Sequence, residues 1–237
     1  MLSKTSLRVV LAWGVHLLTA SGGLWGFLTI LAIFDHNWPL AFIWIIIAMF
    51  VDSVDGTLAR WLEVKKFASR IDGGLLDNLI DYLNFVIVPA LILIEAPRLL
   101  PEGYQLVTAG LIIITSAYQF SQVDAKTEDH FFTGFPSYWN VLVIYLMVMR
   151  LNVWVNLVVL VAFNILVFVP IKYLYPSRNT KLRHLTLLLS YLYGGLGVWG
   201  LLRYPDVPAW MIWLSFVYIL YYLVLSLWSQ GNKVPSS

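Results

Sequence analysis

Five aspartates crowd one stretch, DSVDGTLARWLEVKKFASRIDGGLLDNLID, which runs from Asp52 to Asp81 and also holds Asp55, Asp72 and Asp77. They are five of the chain's 13 acidic residues, yet they lie between two strongly apolar runs, AFIWIIIAMFV and FVIVPALILI. An ionised Asp costs roughly 2.5–3.5 kcal/mol at the centre of a membrane helix and less near the interface, and repulsion between neighbours adds to this. Divalent cations would neutralise such a cluster. Oxygen-only ligands suit Mg²⁺ or Mn²⁺, which pair carboxylates with substrate phosphates. Metal-assisted phosphoryl chemistry is the leading expectation. A cation pathway in a transporter and plain structural pairing stand beside it as alternatives.

The elements that must position these residues are membrane helices. Of 237 residues, 60% are hydrophobic and 12% charged, and the mean hydropathy is +0.79. Soluble domains carry roughly 25% charged residues. The expected class is an all-α integral membrane protein, a polytopic helical bundle formed by a single catalytic domain over residues 1–237. Eight apolar stretches approach the roughly 20 residues that cross a bilayer: 8–34, 38–60, 73–95, 104–123, 137–150, 153–172, 184–202 and 208–228. The first is expected to persist as a span and not to act as a cleaved signal, because apolar character resumes directly after Ala20-Ser21-Gly22. With the N-terminus in the cytoplasm, twelve of the 15 basic residues fall on the cytoplasmic side; the other three are Arg98, Arg150 and Arg203. That bias follows the positive-inside rule. It places both termini and the acidic stretch at the cytoplasmic face. The absence of cysteine excludes disulfides, thiolate metal sites and a Cys nucleophile. A net charge of +2 argues against a nucleic-acid partner.

On span 2, Asp52, Asp55 with Gly56, and Ala59 with Arg60 recur every three to four residues and share a helix face. On span 3, Gly73, Asp77 and Asp81 recur every four. If the two spans are antiparallel neighbours, Asp55 matches Asp77 in depth, and Asp52 matches Asp81 about 12 Å from the helix ends. Gly56 and Gly73 weaken helices, so they fit places where a ligand or another helix approaches the backbone. Arg60 offers a planar fork for phosphate; with Lys65 and Lys66 it could equally be a positive-inside anchor.

The pattern D-x2-D-G-x2-A-R-x12-G-x3-D-x3-D closely resembles the signature of the CDP-alcohol phosphotransferase family of integral membrane enzymes. Eight residues carry it: Asp52, Asp55, Gly56, Ala59, Arg60, Gly73, Asp77 and Asp81. Most of that family has eight residues between the Arg and the second Gly, whereas residues 61–72 make twelve here, about one helical turn more. The longer gap, the eight spans and FTGFPSYWN at 132–140 resemble the bacterial phosphatidylcholine synthase subgroup. The resemblance implies that choline attacks CDP-diacylglycerol, CMP leaves and phosphatidylcholine forms in the inner membrane. It implies Mn²⁺ or Mg²⁺, two ions in all, on Asp52, Asp55, Asp77 and Asp81, with Asp81 also taking the choline proton. Gly56, Ala59, Arg60 and Gly73 would serve the nucleotide and phosphates, and a homodimer would be the assembly. The same residues would serve a family member acting on another alcohol.

Quaternary ammonium ligands favour aromatic faces. Where a cytoplasmic loop meets a span, the candidates are Tyr118, Phe120, Phe135, Tyr138 and Trp139, with Tyr138 and Trp139 the chosen pair; an interfacial aromatic belt is the alternative. Lys172, Arg178, Lys181 and Arg183 form a basic segment, in which Arg178 is the best phosphate candidate and anchoring the competing reading. Lys126 is expected to pair with Asp124, Glu128 or Asp129. His16, Thr19 and Ser21 interrupt span 1, either beside the nucleotide or as part of a small-residue packing seam. His36, His130 and His184 suggest no ligand role, and Asp72 has no counterpart in the motif.

Overall fold

The computed structural model describes residues 4–122, 131–174 and 182–231. Its helices are α1 (Lys4–Phe34), α2 (Trp38–Trp61), α3 (Val64–Phe67), α4 (Gly73–Tyr82), α5 (Val88–Glu95), α6 (Gln105–Ser121), α7 (Trp139–Met149), α8 (Val153–Leu166), α9 (Arg183–Leu202) and α10 (Ala209–Gly231). A π-helical turn, Leu83–Ile87, joins α4 to α5 as one rod. Among the described residues, five helical segments are long and apolar enough to cross a membrane: Thr5–Phe34, Trp38–Trp61, Gly73–Glu95, His184–Leu202 and Ala209–Trp228. The other apolar stretches are also helical but shorter than expected. In particular, α8 ends at Leu166, not 172, because Pro170 has no N–H to donate and disfavours helix in the residue before it.

Outward faces are apolar, as contact with lipid requires. Trp213, Val217, Leu220 and Val224 on α10 and Leu17, Leu24 and Phe27 on α1 are exposed. The opposite stripe of α1 buries Ala12, Val15, His16, Thr19, Gly22, Gly26, Thr29 and Ile33, a three-to-four spacing that defines one helix face. The main core lies away from the acidic residues. It joins Ile33 of α1, Phe42 and Ile45 of α2, Ile92 and Leu93 of α5, Ile112 of α6, Trp139 and Val143 of α7, and Leu160 of α8.

A short antiparallel pair, β1 (Phe131–Thr133) with β2 (Lys172–Leu174), ties the segment after α6 to the one after α8. Gly134 follows at φ +76°, and a Cβ there would collide with the Val167 carbonyl, so glycine is required.

The arrangement around the acidic stretch differs from two directly apposed spans. α1 packs along both α2 and α4, whereas the backbones of α2 and α4 come close at few points. Small residues allow this on the α4 side. A Cβ at Gly22 would lie 2.6 Å from Ile80 Cγ2, and one at Gly26 would lie 2.6 Å from Asn84 Oδ1. Asn84 Nδ2 donates to the Gly22 and Ile80 carbonyls, both at 3.1 Å. The gap left between α2 and α4 is the cleft.

Candidate active site

Asp52 and Asp55 come from the end of α2, and Asp77 from the second turn of α4. One carboxylate oxygen from each lies within 4.8 Å of the other two. Asp55 is buried, at 5% exposure, while Asp52 and Asp77 are half-buried. Thr19 of α1 brings its hydroxyl within hydrogen-bonding reach of Asp55 and of the Val15 carbonyl, at 3.2 Å. Asp81 lines the same small cavity, as do Thr19 and Asn84. It lies outside the tight trio, one turn deeper along α4 than Asp77. The two matched levels expected from spacing thus become three converging carboxylates with a fourth nearby.

Beyond the trio the space widens into a much larger, open cleft, lined by Asp55, Gly56, Ala59, Arg60, Lys65, Lys66, Gly73 and Asp77 among others. The two glycines play different parts there. A Cβ on Gly56 would meet only Arg60 Nη1, at 3.5 Å, so Gly56 leaves room facing the cleft. A Cβ on Gly73 would stand 3.2 Å from His16 Cε1, so Gly73 admits a neighbouring ring. Arg60 is exposed and donates to Thr57 Oγ1 at 3.0 Å, which leaves most of its fork available to the cleft.

Residues 61–72, which hold the extra turn, form a structured wall. Glu63 turns the chain at φ +51°, α3 adds one helical turn, and Val64 and Ala68 bury against Ala12 and Val15 of α1. Arg8 pairs with Glu63 at 3.5 Å, and Lys66 Nζ lies 5.3 Å from the Phe67 ring centroid. Asp72 acquires a role that no motif position suggested: its Oδ1 accepts from Gly74 N at 2.9 Å and Leu75 N at 3.1 Å, which makes it the N-cap of α4. An Asp just before a helix start was a legible signal for this. Asp72→Ala should lower stability by about 1 kcal/mol and Asp72→Asn by far less, read from unfolding in detergent.

Several expectations require correction. Trp139 is fully buried in the core, its Nε1 donating to Ser116 Oγ at 2.7 Å and its ring edge-on to Phe135; it lines neither cavity. Packing won over the loop-edge reading because the chain turns inward at Pro136-Ser137. Phe135 is in the same core, Phe120 packs edge-on to Tyr82, and Tyr118 contacts Phe168. Tyr138 lies 6.1 Å, centroid to centroid, from Phe85, which lines the acidic cavity. His16 and Thr19 face the cleft, whereas Ser21 turns back to the Leu18 carbonyl at 2.6 Å. Asn84 escaped the sequence reading, although it continues the Asp77–Asp81 face by three residues. Asp124, Lys126, Glu128, Asp129, His130, Arg178 and Lys181 lie outside the described residues, as do the side chains of Lys172 and Arg183.

The donor set fits a divalent metal. It is all oxygen, converges from two helices, and is partly desolvated, so the three negative charges repel strongly unless a cation lies among them. Fold and site together define a polytopic helical membrane protein with a three-carboxylate centre opening on a basic-rimmed cleft. The family model described as CDP-alcohol phosphatidyltransferase matches residues 15–228, and the chain belongs to that family. It is 44% identical to a phosphatidylcholine synthase of Legionella pneumophila, over 91% of this chain and 87% of the relative. Identity to the phosphatidylcholine synthase of Legionella bozemanae is 42%, over 85% and 95%. That of Pseudomonas aeruginosa is 35% identical over 98% and 97%.

Proposed function

We propose that this protein joins choline to the phosphatidyl group of CDP-diacylglycerol, releasing CMP. The observation that carries the reading is the convergence of Asp52, Asp55 and Asp77 on the cleft that also holds Gly56, Ala59 and Arg60. The relatives named phosphatidylcholine synthase direct it to choline.

The choline hydroxyl oxygen bonds to the phosphorus that bears the diacylglycerol, and the bond from that phosphorus to the CMP oxygen breaks. The hydroxyl proton passes to Asp81, which lines the same cavity without belonging to the carboxylate trio; a base must reach the attacking hydroxyl. Arg60 holds phosphate, with Lys65 and Lys66 beside it on the cleft wall. Gly56 and Ala59 leave room for the cytidine, and Gly73 keeps α4 close to α1 beneath it. Mn²⁺ or Mg²⁺ held by Asp52, Asp55 and Asp77, with Asp81 within reach, would neutralise charge on the diphosphate as CMP leaves. Arg178 remains a proposed phosphate contact. The whole chain acts as one catalytic domain in a bacterial inner membrane, with both termini and the site cytoplasmic, and the resemblance favours a homodimer.

Tyr138 is retained for choline recognition through its contact with Phe85. Tyr138→Ala should raise the choline KM several-fold with the donor KM unchanged; an unchanged choline KM removes Tyr138 from the site. The reaction is tested with purified protein, labelled choline, CDP-diacylglycerol and Mn²⁺. Labelled lipid and CMP should form together and stop on chelation. Labelled lipid from a different alcohol but not from choline would overturn the substrate, and metal-independent choline movement without CMP release would indicate a transporter.

A further inference from the structure

The back wall of the cleft belongs to α1, and one side chain there joins three elements. His16 is 5% exposed. Its Nε2 lies 3.2 Å from the Ala68 carbonyl oxygen in the segment 61–72. A carbonyl only accepts, so Nε2 carries the proton and donates. The ring also lies against the first residue of α4, since a Cβ at Gly73 would stand 3.2 Å from His16 Cε1. Trp13 backs it edge-on at a centroid distance of 6.1 Å.

We propose that His16 is a positioning residue: a latch that seats residues 61–72 and the start of α4 on α1, and so sets Asp77 against Asp52 and Asp55. The inference rests on the metal-dependent reading of this site. Its physical basis is that the backbones of α2 and α4 approach each other far less closely than either approaches α1. Because their backbones stay apart and their carboxylates meet across the cleft, the spacing of the carboxylates from the two helices depends largely on how α1 holds each one. α2 is held along its length by the α1 hairpin. α4 is held at its middle by Gly22 and Gly23 against Ile80, and at its start by His16 against Gly73. Asp77 lies one turn beyond Gly73, between those two supports. Without the latch, Val64 and Ala68 still pack on Ala12 and Val15, but the end of the linker nearest α4 loses its hydrogen bond to α1 and the start of α4 can move, carrying Asp77 with it.

The test measures Mn²⁺ affinity on purified full-length protein, from the Mn²⁺-dependent shift of the unfolding temperature and the EPR signal of free Mn²⁺, alongside kcat and both KM values. His16→Leu should weaken Mn²⁺ binding about tenfold, the order seen when support behind a metal ligand is lost, and lower kcat with the KM for CDP-diacylglycerol little changed. His16→Gln, whose amide N–H can donate to the Ala68 carbonyl, should retain Mn²⁺ affinity to within about threefold. Gly73→Leu should be inactive, and His16→Ala should restore part of that loss by vacating the ring's space, so the two changes are non-additive. The latch is overturned if a folded His16→Leu protein keeps its Mn²⁺ affinity. A raised donor KM in that case assigns His16 to substrate contact, and a lowered unfolding temperature alone assigns it to general packing. Equal weakening by Gln and Leu, or strict additivity with Gly73→Leu, also overturns it. Wild-type protein that binds Mn²⁺ yet releases no CMP would sink the phosphotransferase reading while the latch is still judged by Mn²⁺ affinity. Wild-type protein that binds no Mn²⁺ would sink both.

Discussion

Asp55→Asn should reduce CMP release at least about 100-fold, a loss of about 2.7 kcal/mol of transition-state stabilisation. Asn has the shape of Asp, so the buried position is not emptied and the loss reports charge. Asp55 is the most buried of the three converging carboxylates and stands between α1, through Thr19, and the cleft. The change has opposite effects on stability with and without metal. In metal-free protein, removing one of three mutually repelling, partly desolvated charges relieves repulsion, so the unfolding temperature should rise. With Mn²⁺ at 100 times the wild-type Kd, wild-type protein gains about 2.7 kcal/mol, and the variant should lose that gain. Unfolding temperatures measured with and without Mn²⁺ therefore cross over between the two proteins. A variant with near-wild-type turnover, or one that retains the full Mn²⁺ shift, would contradict a ligand role for Asp55. Asp77→Asn, from the other helix, should behave in the same way.

The second large expected effect is that Gly56→Leu should give a folded, inactive protein. Gly56 lies in the last turns of α2, and a Cβ there meets only the flexible end of Arg60 at 3.5 Å. Replacing Gly by Leu within a helix gains roughly 0.5–1 kcal/mol from propensity, and the new Cβ clashes with no neighbour. The added side chain instead projects into the cleft that Ala59 and Arg60 share and fills the space proposed for the nucleotide. Donor binding should be lost, while Mn²⁺ affinity stays within a few-fold of wild type because the carboxylates do not move. Gly73→Leu differs because its first new atom meets a packed histidine ring. The pair separates a glycine kept for a ligand from one kept for a helix contact. A Gly56→Leu protein that still turns over CDP-diacylglycerol would show that the donor lies elsewhere.

Much of this site could be read from the chain in one dimension. Apolar runs set the helices, because a membrane leaves the backbone few other ways to satisfy its hydrogen bonds. The three-to-four spacing of Asp52, Asp55 and Gly56, and of Gly73, Asp77 and Asp81, put each set on one face, because helix geometry is local. The same locality made the extra turn in 61–72 visible as a gap length, and it appears as α3. What spacing could not supply was which faces meet. It suggested spans 2 and 3 side by side, whereas they face each other across the cleft and α1 packs on both. That choice was made by shape: Gly22, Gly23 and Gly26 let α1 approach Ile80, Leu83 and Asn84 closely, and no equivalent seam joins α2 to α4. The same long-range packing drew Trp139 into the core, although its sequence position fitted a loop edge equally well. The sequence by itself determined that carboxylates, glycines and an arginine would gather at one end of a membrane bundle. Only the tertiary structure decided that Asp52, Asp55 and Asp77 converge while Asp81 lines the same cavity outside the trio, and that Gly56 faces a cleft while Gly73 faces His16, because each depends on contacts between residues far apart in the chain.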